Sequence, residues 1–334
     1  MDSAKSLAVA VVSLAALGAC SGSDDGAASN PGGSGGGSAA GGSGGAIATG
    51  GGGSGGGAAS GGSGVGCDGK VTGTFRDFRA AHPDFECTKT QPYAWSDPEN
   101  KDCGPWDPAI VGALGTPLGA DDKPTYAGGS GTPSTTGAAN FAHWFNDVPG
   151  TNARQDLVIQ LTPTGGGTLV YDTDRFFPID GVLFDAEANN PDVGKFPDDD
   201  QSFRNFHFSY ELHTTFRYEQ GNVFTFRGDD DVFVYIDKKL AVNIGGIHVP
   251  MQGKLNLDTG RVELTSPLGF PDLPVTSALG FTESIAGGVA GTVDLSLTPG
   301  EVYAMDFFFV ERNCCASNFR IETNFEFIDC GVPR

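Results

Sequence analysis

Residues 224–246 read FTFRGDDDVFVYIDKKLAVNIGG, and this stretch decides the fold. Runs of aromatic and β-branched residues are cut by Gly228-Asp229-Asp230, Asp237-Lys238-Lys239 and Gly245-Gly246, all of them turn chemistry. Outward from it the same pattern continues. Phe206, Phe208, Tyr210 and Leu212 alternate with His207, Ser209, Glu211 and His213. Further rows run through Val293, Leu295 and Leu297, through Tyr303, Met305, Phe307 and Phe309, and through Phe319 and Ile321. Side chains on a strand point to opposite faces in turn, so each row can be buried while its partners face water or another layer. Asp258-Thr259-Gly260 and Pro299-Gly300 add further turns. Many short strands with frequent turns predict an all-β chain, an antiparallel sandwich or barrel. Residues 67–155 are loop-rich, with one short helical turn expected near Ala138 to Asn146, and no internal repeat is visible.

The N-terminal end reads differently. Lys5 precedes an apolar stretch from Leu7 to Leu17, too short to span a bilayer as a permanent helix. It ends in Leu17-Gly18-Ala19-Cys20, which resembles a bacterial lipoprotein signal and implies cleavage after residue 19 with lipid on Cys20. Acyl chains gain about 0.8 kcal/mol per buried methylene, so several would anchor the chain firmly. Residues 20–66 are almost wholly Gly, Ser and Ala and predict a disordered tether, with a root-mean-square span of about 35–40 Å. The β domain is expected over 67–334, and the location at an outer membrane or cell surface, with no membrane contact except through the anchor.

The chain has 334 residues and a formal net charge of −21, of which the first 66 residues carry −2. A surface this acidic repels nucleic acid and anionic lipid, which argues against both as partners. Besides Cys20 there are six cysteines: Cys67, Cys87, Cys103, Cys314, Cys315 and Cys330. An even number in an exported domain implies disulfides. Cys67 and Cys330 bracket the domain and are expected to pair, because domain termini often lie close together. Cys87 with Cys103 would staple a loop, which leaves Cys314 and Cys315 as a vicinal disulfide or as part of a swapped arrangement. Zinc is disfavoured, since no C-x₂-C pair occurs and no histidine lies near these cysteines.

Five segments together resemble the fibro-slime domain family: residues 71–86 (VTGTFRDFRAAHPDFE), 137–152 (GAANFAHWFNDVPGTN), 176–181 (FFPIDG), 224–246 and 311–322 (ERNCCASNFRIE). They occur in family order over nearly all of 71–325. Residues 224–246 are also similar to the core hairpin of protective-antigen-type lectin-like domains. That resemblance implies a β-sandwich of the kind found in adhesins and glycosidase accessory modules. In sugar-binding members two turn aspartates, joined by a cis peptide, hold a Ca²⁺ that in turn binds sugar hydroxyls. Asp229 and Asp230 match those positions, and Asn313 is the candidate for the asparagine that completes the metal site. Asp231, Arg312 and Ser317, beside these ligands, are expected to contact the bound carbohydrate.

The blander readings are specific. Asp229-Asp230-Asp231 is also an ordinary turn composition. Asp172 and Asp174 lack the glycine of an EF-hand loop, and the five histidines show no metal-binding spacing. Trp95, Trp106 and Trp144 could stack on sugars, but partial burial is the commoner fate of tryptophan. No carboxylate pair is singled out as a glycosidase couple, and no enzyme activity is expected. The leading expectation is a carbohydrate- or matrix-binding module assisted by Ca²⁺. A structural coat protein without sugar recognition is the alternative, and a polysaccharide hydrolase the third.

Overall fold

The computed structural model describes residues 67–85, 106–186, 196–197, 203–266, 273–313, 317–331 and 333. The strands are β1 (Lys70–Phe78), β2 (Asn152–Gln160), β3 (Thr162–Gly165), β4 (Thr168–Thr173), β5 (Phe196–Pro197), β6 (Phe203–Arg204), β7 (Phe208–Arg217), β8 (Val223–Gly228) and β9 (Asp231–Ile236). They continue as β10 (Lys239–Ile244), β11 (Met251–Asn256), β12 (Arg261–Thr265), β13 (Phe281–Ile285), β14 (Gly288–Thr292), β15 (Val302–Glu311), β16 (Phe319–Thr323) and β17 (Glu326–Phe327). Among the described residues the one α-helix is α1 (Ala138–Phe141), shorter than the expected reach to Asn146.

Fifteen of these strands form two antiparallel sheets packed as a sandwich, and β5 and β6 pair with each other in a separate two-stranded sheet. A seven-stranded sheet has the order β10-β9-β15-β7-β1-β2, with β17 beside β7. An eight-stranded sheet has the order β13-β14-β12-β11-β8-β16-β4-β3. The alternating rows explain why they stack. Phe208, Tyr210, Phe307 and Phe309 point inward from the first sheet and meet Phe226, Phe319 and Ile321 from the second. Phe176 sits among them, stacked on Phe319 at 4.1 Å between ring centroids. Each such ring removed from water contributes roughly 1.5–3 kcal/mol, so this aromatic layer is the main force holding the sheets together.

The seven-stranded sheet is buried on both faces. Phe233, Tyr235, Phe308 and Val310, on its outer side, pack against Phe85, Val111, Phe141, Trp144 and Phe145 from the loop-rich portion, which forms a third layer. His207, Ser209, Glu211 and His213, the polar partners of the inward row, therefore lie under this layer and not in water. Their charges are matched in place. Glu211 accepts from Arg76 Nη1 at 2.6 Å and from Lys123 Nζ. His213 faces Glu211 through Nε2 and Asp306 through Nδ1, both at 2.6 Å, and Lys238 Nζ reaches Asp306 at 3.0 Å. An imidazole between two carboxylates donates from both nitrogens, which requires its protonated form.

Cys67 and Cys330 form a disulfide with their Cα atoms 5.2 Å apart, tying together the two ends of the described fold as the bracketing predicted. Cys20, Cys87, Cys103, Cys314 and Cys315 lie outside the described residues. One predicted strand is corrected. Val293 and Leu295 are buried, yet residues 293–298 belong to no ladder, so the alternation marks an extended segment pressed on the core.

Candidate functional site

Two of the chain's crossings between the sheets meet at one end of the sandwich. β8 ends at Gly228 in the eight-stranded sheet and β9 begins at Asp231 in the seven-stranded one, so Asp229 and Asp230 form the step between them. This corrects the hairpin expected from the sequence, since the flanking strands do not pair with each other. Gly228 is needed because a Cβ there would lie 2.1 Å from the Asn318 carbonyl oxygen. The return step runs from Glu311, which ends β15, to Phe319, which opens β16. Register brings the two steps together: Val310 pairs with Asp231, and Gly228 pairs with Phe319. The Asp229–Asp230 peptide is cis, the form that the resemblance implies.

Each carboxylate is held by named donors. Asp229 accepts from the Asn318 backbone N–H at 2.6 Å and from Asn318 Nδ2 at 3.1 Å. Asp230 accepts from the backbone N–H of His248 and of Arg312, each at 3.1 Å. Asp231 turns the other way. It accepts from Arg312 Nε at 2.5 Å and Nη2 at 3.0 Å, and from the Gly246 N–H at 2.7 Å. Arg312 also donates through Nη1 to the carbonyls of Ser134 at 2.6 Å and Asp84 at 3.1 Å, and it lies over the Trp144 ring. With no exposed surface, Arg312 and Asp231 face each other and the third layer. The structure places these two expected ligand contacts in a buried ion pair, with their side-chain polar groups hydrogen-bonded inside the protein. Ser317 is also fully buried and donates from Oγ to the Phe176 carbonyl at 3.0 Å.

Electrostatically the cluster is short of positive charge. Burial pushes the Asp229 carboxyl up to about 7, with the hydrogen bonds from Asn318 opposing it. Burial raises Asp230 well above the carboxylate range against the pull of Arg312, and raises Asp231 as well. Glu311 is raised by burial and then by the nearby Asp230 and Asp229 charges. Burial likewise lowers His248 to about 4, which keeps it neutral and removes it as a counter-charge. Arg312, held charged beside Asp231, also draws on Asp230, whereas Arg227 is the cation that acts on Asp229.

Glu311, Asn318 and His248 were not among the residues expected from the sequence. Glu311 shares the strand parity of Phe307 and Phe309, a signal that its side chain points inward. Its Oε2 is buried without a hydrogen-bond partner among the described residues. Asn313 is buried two residues further on. These donors suit a hard cation, which takes carboxylate, amide and carbonyl oxygens together. Each Asp229 and Asp230 oxygen accepts one hydrogen bond from the donors named above, and a carboxylate oxygen has a second lone pair to offer. Among the described residues, no three His, Cys, Asp or Glu side chains converge into a metal cluster. A cation here would therefore take neutral oxygens beside the two aspartates.

The fold and this end of it define a two-sheet β-sandwich with a buried aspartate step between its sheets. No family model and no solved structure matches the chain. It is similar to several curated proteins of Dictyostelium discoideum. Protein psiR is 34% identical over 224 residues, covering 64% of this chain and 19% of psiR. Protein psiD is 32% identical over 234 residues, covering 67% of this chain and 38% of psiD. Protein psiQ is 32% identical over 228 residues, covering 66% of this chain and 20% of psiQ. The chain thus spans well under half the length of these relatives.

Proposed function

We propose that the chain is an extracellular binding module that holds Ca²⁺ at the Asp229–Asp230 step and, through it, a carbohydrate or matrix polymer. The observation that carries this reading is the pair of consecutive buried aspartates, beside which the Arg312 guanidinium is bonded to Asp231 and to neither of them. Burying carboxylates without a counter-charge is costly, and a divalent ion removes that cost. Asp229, Asp230 and Asn313 would hold the ion. When bound, it would supply a Lewis-acidic contact for two hydroxyls of a sugar. Arg312 and Asp231 would position the Asp230 backbone, and Asn318 would position Asp229.

The Cys67–Cys330 disulfide supports an oxidising, extracellular setting. Similarity to part of much larger relatives supports a module used within longer chains. The lipid anchor at Cys20 rests on the leader sequence alone and is tested by mass spectrometry of the mature N-terminus. Binding of the full chain to immobilised matrix polysaccharide, with Ca²⁺ and with chelator, tests the main reading. Calcium-dependent retention that disappears in Asp229→Ala/Asp230→Ala supports it. Retention unchanged by both chelator and substitution sinks it and leaves the structural coat protein as the better account.

A further inference from the structure

The buried side of the aspartate step carries a third carboxylate that the proposed ligand set leaves out. Glu311 closes β15 opposite Phe208 of β7. It shares the inward parity of Phe307 and Phe309, so its side chain enters the space between the sheets where the aromatic layer ends. Only 1% of it is exposed. The next residue, Arg312, gives its backbone N–H to Asp230 at 3.1 Å, which ties the end of β15 to the Asp230 carboxylate.

Other buried acids on this sheet each meet a cation. Glu211 meets Arg76 and Lys123, Asp306 meets His213 and Lys238, and Asp231 meets Arg312. Glu311 Oε2, by contrast, is buried with no hydrogen-bond partner among the described residues. Arg312 does not supply the missing charge. Successive side chains of a strand take opposite faces, and its guanidinium lies with Asp231 under the third layer. The charges that act on Glu311 are those of Asp230 and Asp229, and both repel it. A buried carboxylate without a counter-charge is costly, so a cation close by would relieve it. Glu311 is not itself a ligand as placed, because no three His, Cys, Asp or Glu side chains converge among the described residues.

We propose that Glu311 is the charge-selecting residue of the step: from outside the ligand set, its carboxylate strengthens binding of multivalent cations and disfavours monovalent ones. This rests on the cation reading of Asp229 and Asp230. Ligand charge is what tunes the affinity of hard-cation sites, and here Glu311 adds a third carboxylate to the two that touch the ion. A fixed charge attracts an ion in proportion to the ion's own charge, so Na⁺ gains about half as much as Ca²⁺, and La³⁺ about half as much again. Even when screened as in bulk water, a unit charge about 6 Å from a divalent ion changes its affinity about tenfold.

The test is calorimetric titration of Ca²⁺ and of La³⁺ into the chelator-stripped full chain and into Glu311→Gln, which keeps the size of the side chain and removes its charge. The expected loss is about tenfold for Ca²⁺ and about thirtyfold for La³⁺. The metal-free Tm of the variant should equal or exceed that of wild type, because an unmatched buried acid is gone, while the calcium-induced rise becomes smaller. A merely structural glutamate would instead lower the metal-free Tm and weaken both ions by the same factor. Glu322→Gln, at an exposed acid of β16 paired with Arg320, should leave both affinities within about twofold. Affinities unchanged in Glu311→Gln, an equal loss for the two ions, or the same loss in Glu322→Gln would overturn the proposal and leave the calcium reading standing. Failure of the unmutated protein to bind either ion would overturn both.

Discussion

Replacing Arg312 by alanine removes a guanidinium that ties the seven-stranded sheet to the covering layer. Its Nε and Nη2 hold Asp231 at the start of β9, and its Nη1 holds the Ser134 and Asp84 carbonyls of the covering layer. Both members of the ion pair have no exposed surface, so the variant leaves Asp231 buried with only the Gly246 N–H. Breaking a buried pair by deleting one partner costs about 3–5 kcal/mol. At this domain size that lowers Tm by roughly 6–20 °C. Urea denaturation followed by tryptophan fluorescence reads the loss directly, since buried Trp144 lies 4.7 Å from the guanidinium carbon. Arg312→Met combined with Asp231→Leu removes both charges and should cost less than Arg312→Ala alone. A single-variant loss below about 1 kcal/mol, the range of an exposed ion pair, would refute the reasoning.

Three further outcomes follow from the packing. Burial pulls His213 down, but its hydrogen bonds to Asp306 and Glu211 outweigh this and leave it raised. Its stabilising contribution is then complete below the ordinary histidine value and is lost as pH rises through the folded value. The stability advantage of wild type over His213→Asn, measured by urea titration, should shrink as pH is raised. An advantage that grows with pH contradicts this. Cys330→Ser should cost about 2–5 kcal/mol, and non-reducing peptide mapping should recover Cys67 linked to Cys330. Phe176→Ala, which empties the stack on Phe319, should cost about 3–5 kcal/mol by the same assay, with little effect on calcium binding.

Much of this architecture was legible in residue order. The inward rows of β7, β15 and β16 followed from period-two alternation, and pairing of the bracketing cysteines followed from their positions. The third layer was not legible, because alternation says only that polar partners lie opposite the core. Burial of His207, Glu211 and His213 depends on Arg76, Lys123 and Asp306 arriving from distant parts of the chain. The same limit applies at the site. Asp229 and Asp230 stood out as a turn, but turn chemistry does not distinguish a hairpin tip from a step between sheets. Register alone revealed the step. Arg312 and Asp231 resembled ligand contacts in sequence and became a buried pair once β9 and β15 were adjacent. Glu311 was missed because it is the charged last residue of an apolar strand, although its parity with Phe309 points it inward.

The most direct test of the account is calorimetric titration of Ca²⁺ into the chelator-stripped full chain, beside the Asp229→Ala/Asp230→Ala variant. The account predicts one site in the unmutated protein, with a calcium-induced rise in Tm, and neither effect in the variant. No heat and no rise in the unmutated protein, or an equal response from both, would contradict it and reduce the aspartate step to a structural turn.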